Sequence, residues 1–181
     1  PLATLALALV DQWRALTAGP RLRCVTSGFD DAALGTLWQQ RPADLVLGDR
    51  SPALLRWRYG LPGRGDWQLC RVDDRAGRPV GQIVWRAVDG RAELGDFFTV
   101  DPASLTAPLL TAVCRAARAA GLHSVSLEFF GAPAVLQALQ AAGFRPREEP
   151  DPVVMAAVAG SDSLPTDPAR WYLTSFDNDA N

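Results

Sequence analysis

"DFFTVDPASLTAPLLTAVCRAARAAGLHSVSLEFF" (Asp96–Phe130) changes its hydrophobic period twice. It opens as an apolar, strand-like run. From Leu105 the apolar residues Leu105, Leu109, Val113 and Ala117 recur every four positions until Gly121, the mark of a helix with one buried stripe. "HSVSLEFF" then alternates, as a strand half-covered on one side does. A strand, a helix and a second strand in this order form a crossover, and crossovers join parallel strands. Thr106 is the expected N-cap of the helix, because it leaves Pro108 in the first turn, where a missing N–H is tolerated.

Upstream lie three strand-like runs, "DWQLCRVDD", "PVGQIVWRAVDG" and "RAELGDFFTV", separated by Asp73–Gly77 and Asp89-Gly90. Short turns of this kind predict an antiparallel meander. Before it stand a strand in "RLRCVTS", a helix in "FDDAALGTLWQQ" with Asp30 as N-cap, and a helix in "RSPALLRWRYG" with Ser51 as N-cap and Pro52 in its first position. Downstream, "GAPAVLQALQAAGF" reads as a helix and "PVVMAAVA" and "RWYLTSF" as strands. The fold class this predicts is α/β (α+β), with a mixed, mostly antiparallel central sheet and helices on both faces. Residues 1–20 are expected to form an N-terminal helix or linker, carrying Leu5, Leu9, Trp13 and Leu16 on one face and continuing from an upstream segment, since the first residue is proline. Residues 21–181 are expected to form the domain itself.

Composition narrows the function classes. The 181 residues carry a formal net charge of −2 and a pI near 5.4, so there is no basic field for nucleic acid or an acidic membrane. Every one of the 18 cations is arginine, which excludes lysine Schiff-base chemistry. Cys24, Cys70 and Cys114 have neither zinc nor disulfide spacing, which points to no metal and to a reducing, cytoplasmic setting. The opening "PLATLALALV" lacks the basic leader of a signal peptide. Neither a G-x-G-x-x-G fingerprint nor a P-loop follows a strand, which disfavours a nucleotide-binding class.

The element order from Arg21 to Phe176 resembles the GNAT acyltransferase superfamily, and "VLQALQAAGF" resembles that family's last helix with its closing Gly-Phe. "LLRWRYG" (Leu54–Gly60) and "WYLTSFDND" resemble a divergent bacterial branch with polysaccharide-linked members. The resemblance implies transfer of an acyl (acetyl) group from acyl-CoA to an amine of a small metabolite or amino sugar. It implies a fourth strand, Glu93–Val100, and a fifth, His123–Phe130, that splay apart with acetyl-CoA or another acyl-CoA between them. Phe98, Thr99 and Val100 would then border the cofactor, with the N–H near Thr99 or Val100 polarising the thioester carbonyl. The pyrophosphate would lie at the turn after them, on the N–H groups of Leu105, Thr106 and Ala107 and the hydroxyls of Ser104 and Thr106.

That turn departs from the family's pattern. "DPASLTAPL" stands where Gln/Arg-x-x-Gly-x-Gly/Ala is usual; Asp101 brings like charge and Pro108 removes a donor, so weak cofactor binding is expected. Asp96 and Glu128 are the carboxylates closest to the expected splay and the candidates for the base that takes the ammonium proton, or else face solvent on alternating strands. Leu139 occupies the place of the family's thiolate-protonating tyrosine. Arg56 and Arg58, with Trp57 and Tyr59, would line an acceptor pocket or simply pack a helix. The expected partners are a small-molecule amine and, among proteins, a second copy or an upstream domain. The alternative function is a non-catalytic GNAT-like interaction or regulatory domain.

Overall fold

The computed structural model describes residues 21–147 and 165–178. The expected helix at Leu2–Ala18 and the strand in "PVVMAAVA" lie outside the described residues. The elements are β1 (Arg23–Ser27), α1 (Ala32–Gln39), α2 (Pro52–Leu55, running on as a π turn over Arg56–Gly60), β2 (Gln68–Asp73), β3 (Pro79–Val88), β4 (Arg91–Thr99), α3 (Pro102–Ala119), β5 (Ser124–Ser126), β6 (Phe129–Gly131), α4 (Pro133–Ala141) and β7 (Tyr172–Thr174). A 3₁₀ turn, Ser175–Asp177, follows β7.

Strands β1 to β5 lie side by side in chain order; the first four are antiparallel and β5 runs parallel to β4. The β3–β4 connection works because Asp89 and Gly90 both take positive φ (50° and 74°), the twist-matched geometry of a two-residue hairpin. Alternation along the strands divides the side chains between two cores. Val72, Ile83 and Phe97 pack beneath α3 and α4 with Leu109, Leu110, Val113, Val135 and Leu139. Leu69 and Val84, on the other face, pack beneath α1 and α2 with Leu34, Leu55, Tyr59 and Phe176. Helices thus cover both faces of the sheet, as the sequence predicts. Among the described residues no helix is long and apolar enough to cross a membrane.

Three expectations need correction. The cap of α1 is Asp31, whose Oδ1 accepts from Ala33 N–H at 2.9 Å; Asp30 instead reaches Arg56 at the surface. Helix α3 starts at Pro102, not after Thr106. The earlier start wins because Asp101-Pro102 supplies a capping carboxylate and a preset φ together, and because Thr106 belongs to the buried stripe with Leu109, Leu110, Val113 and Ala117. Finally, the single strand expected over His123–Phe130 is two. β5 pairs with β4, whereas β6 leaves the sheet and pairs antiparallel with β7.

Candidate active site

Strands β4 and β5 pair over three positions only, Arg91↔Ser124, Ala92↔Val125 and Glu93↔Ser126. Among the described residues no strand accompanies β4 on that side from Leu94 to Thr99. The parting begins at a bulge: Val84 faces Asp96 and Trp85 faces Leu94, so Gly95 is the extra residue in β4. Tyr59 Oη donates to the Gly95 carbonyl at 2.8 Å, and a Cβ on Gly95 would lie 2.8 Å from that oxygen and from the Trp67 ring. Any larger residue there would force the Tyr59 hydroxyl or the Trp67 ring to move.

Ladder alternation decides which backbone groups look into the parting. Val100 N–H donates to Val80 O at 3.1 Å, so the groups of Val100 and, two residues back, Phe98 point toward β3. Those of Phe97 and Thr99 point the other way. Val100 is therefore not a donor to a carbonyl in the parting, and the Phe98 ring is buried against Trp38 with centroids 5.8 Å apart. The Thr99 N–H is on the side of the parting; its side chain is buried and its Oγ1 has no hydrogen-bond partner. The Phe97 carbonyl, beside it, accepts from Tyr172 Oη at 2.9 Å.

The phosphate cradle expected at Ser104–Ala107 is overturned. Asp101 Oδ1 accepts from Ser104 N–H at 3.2 Å, and Leu105 N–H donates to Asp101 O at 2.9 Å. Thr106 and Ala107 lie inside the helix, where their N–H groups face carbonyls four residues back, and the Thr106 side chain is fully buried. Pro102 has no N–H to offer. A carboxylate thus sits where a diphosphate would need donors, and the N–H groups of Ser104 to Ala107 are already engaged, so phosphates bound at this turn would be held weakly.

Asp96 is no accessible base either. It is 0% exposed, and its Oδ1 accepts from Arg50 Nε at 3.1 Å and from Thr174 Oγ1 at 2.7 Å. Burial raises its carboxyl above the usual carboxylate range; the charge of Arg50 and the Thr174 hydroxyl pull the other way without cancelling it. Oδ2 is buried with no hydrogen-bond partner. Arg50 is itself fully buried, and its Nη2 also reaches Asp177 Oδ2 at 2.6 Å.

Glu128, by contrast, is exposed in the break between β5 and β6. Its neighbours Leu127 and Phe129 are partly buried against the first core. The two arginines expected at an acceptor pocket have other engagements. Arg56 pairs with Asp30 at 2.7 Å, and Arg58 donates to the carbonyls of Ser175 (3.1 Å) and Asn178 while lying over the Phe176 ring. Leu139 is buried in the first core. Sequence reasoning missed Arg50, Tyr172, Thr174 and Asp177 as parts of one cluster; the alternation of "WYLT" was the only local trace of it.

Four antiparallel strands, the last three a meander, continue into a parallel fifth strand that leaves β4 at a bulge, with the crossover helix over one face. The fold is GNAT-like. No family model and no curated protein matches the chain. Among solved structures, TTHA1254 from Thermus thermophilus is 25% identical, with 78% of this chain and 99% of that chain covered and a TM-score of 0.42. An acetyltransferase of Trypanosoma brucei is 18% identical, covering 74% and 99%, with a TM-score of 0.45. The aminoglycoside 6'-N-acetyltransferase AAC(6')-Ih from Acinetobacter baumannii is 12% identical, covering 76% and 99%, with a TM-score of 0.47. At TM-scores this low the likenesses give no residue of this GNAT-like chain a role.

Proposed function

We propose that the chain is an acyltransferase that moves an acyl group from a thioester to the amine of a small molecule. The observation that carries this reading is the opened edge of β4, where the Thr99 N–H points into the parting instead of into the ladder. An acyl carbonyl lying along that edge would receive the Thr99 N–H as the donor for its developing oxyanion. The amine would approach beside the exposed Glu128, which receives its proton directly or through water. Leu139 offers the leaving thiolate no proton, so that proton returns from solvent. None of the three cysteines is in a disulfide, in keeping with the cytoplasmic, reducing location proposed here.

The second reading is a GNAT-like domain without catalysis, and one observation favours it: the chain's own Asp101 occupies the turn where this fold's cofactor phosphates would sit. Calorimetry with acetyl-CoA, on the parent and on Asp101→Asn, separates the two. Saturable heat in the parent that strengthens in the variant, with thiol release when an amine is added, is the outcome expected of the transferase. Silence in both proteins up to millimolar acetyl-CoA leaves the non-catalytic domain.

A further inference from the structure

Asp177 lies in a ring of donors. Its Oδ1 accepts from Gly48 N–H at 3.1 Å and from Arg50 Nη1 at 3.5 Å; its Oδ2 accepts from Arg50 Nη2 at 2.6 Å and from Thr174 N–H at 2.9 Å. A Cβ on Gly48 would stand 2.1 Å from Oδ1, so the backbone approaches the carboxylate as only glycine allows. The guanidinium is held from behind by Asp96 at Nε, by the Gly48 carbonyl at Nη1 (2.9 Å) and by the ring of Tyr172, and these holds do not depend on the Ser175–Asp177 turn, whose Phe176 ring covers the guanidinium when the turn is seated. A fixed guanidinium face with two backbone amides is what recognises a planar carboxylate, and enclosure strengthens each of those bonds.

We propose that Gly48, Arg50 and Thr174 form a carboxylate-binding site whose resident occupant is the chain's own Asp177. The carrier of that occupant is a three-residue 3₁₀ turn, anchored by burial of Phe176 and by the bonds from Arg58 to the carbonyls of Ser175 and Asn178. While the turn is seated, its tethered carboxylate outcompetes a free one through its high effective concentration. With the turn displaced, the site takes a small carboxylate-bearing molecule. This assignment does not depend on acyl transfer, because the ring of donors exists whichever function holds.

Asp177→Ala empties the ring, and formate is the probe. Thermal melts at constant ionic strength should show Asp177→Ala stabilised by formate and not by chloride, with a melting temperature that rises roughly 4 °C per tenfold formate above the dissociation constant. The parent should not respond. Adding Gly48→Ala to the variant places a methyl where Oδ1 was and should abolish the response. If Asp177→Ala is unfolded in buffer, formate should refold it, as followed by far-ultraviolet circular dichroism. A response equal for formate and chloride, no response or refolding with formate, or a response that survives Gly48→Ala would each overturn the assignment.

Discussion

The two flanks of β4 differ in what holds them. On the β3 flank the ladder runs from Val88↔Arg91 to Gly81↔Thr99, interrupted only by the Gly95 bulge. On the β5 flank backbone pairing among the described residues stops at Glu93, and side chains from distant parts of the chain are bonded there: Tyr172 reaches the Phe97 carbonyl, while Arg50 and Thr174 bond Asp96 and Asp177 bonds Arg50. A ladder saturates its backbone groups; a side-chain closure leaves some of them, such as the Thr99 N–H, pointing outward. The opening is thus a consequence of which kind of bond was used, and each kind can be broken separately.

The largest effect is expected from Arg50→Met. It leaves the Asp96 carboxylate buried without its cation and should cost about 3–5 kcal/mol in urea unfolding. A loss under 1 kcal/mol would show that the closure contributes little. Gly95→Ala comes next: its methyl meets the Tyr59 oxygen and the Trp67 ring at about van der Waals overlap, at a cost of about 1–3 kcal/mol. Tyr172→Phe should cost about 1–2 kcal/mol by leaving the Phe97 carbonyl unpaired, seen as a lower urea midpoint at unchanged slope.

Asp96 also sets a pH dependence. Its folded carboxyl is raised by burial, so the native state holds a proton that the unfolded chain releases first. Stability of the parent should therefore fall relative to Asp96→Asn as pH rises above the ordinary carboxylate value of 3.8. Urea melts from pH 4 to 7 check the sign; a widening advantage for the parent over that range would reverse it. The smallest effect on stability belongs to Asp101→Asn, because asparagine caps a helix as well as aspartate does. The same change should nevertheless tighten acetyl-CoA roughly tenfold by removing like charge from the turn.

Much of this architecture could be read from local signals. The meander, the stripe of α3 and the Ser51-Pro52 start of α2 each rest on residues within one turn or one strand of each other. The α3 boundary was misread because two cap signals compete within six residues, and the winner depends on which face of Thr106 the core covers. Beyond the alternation of "WYLT", the side-chain cluster carried no local signal. Arg50 lies 46 residues from Asp96 and 127 from Asp177, and Tyr172 lies 75 from Phe97. The resemblance singled out Asp96 and Glu128 by their nearness to the expected splay, but nothing local told that Asp96 would be buried against a guanidinium and Glu128 left exposed.

The small β6–β7 sheet bears on how the protein is made. Phe129 waits for Thr174, and Arg50 waits for the turn that follows, so a growing chain keeps a guanidinium without its second counter-charge until residue 177 has emerged. The meander can settle early, whereas the far edge closes last. A chain that ended before Tyr172 would leave Arg50 without Thr174 and Asp177, and Asp96 without the Thr174 hydroxyl.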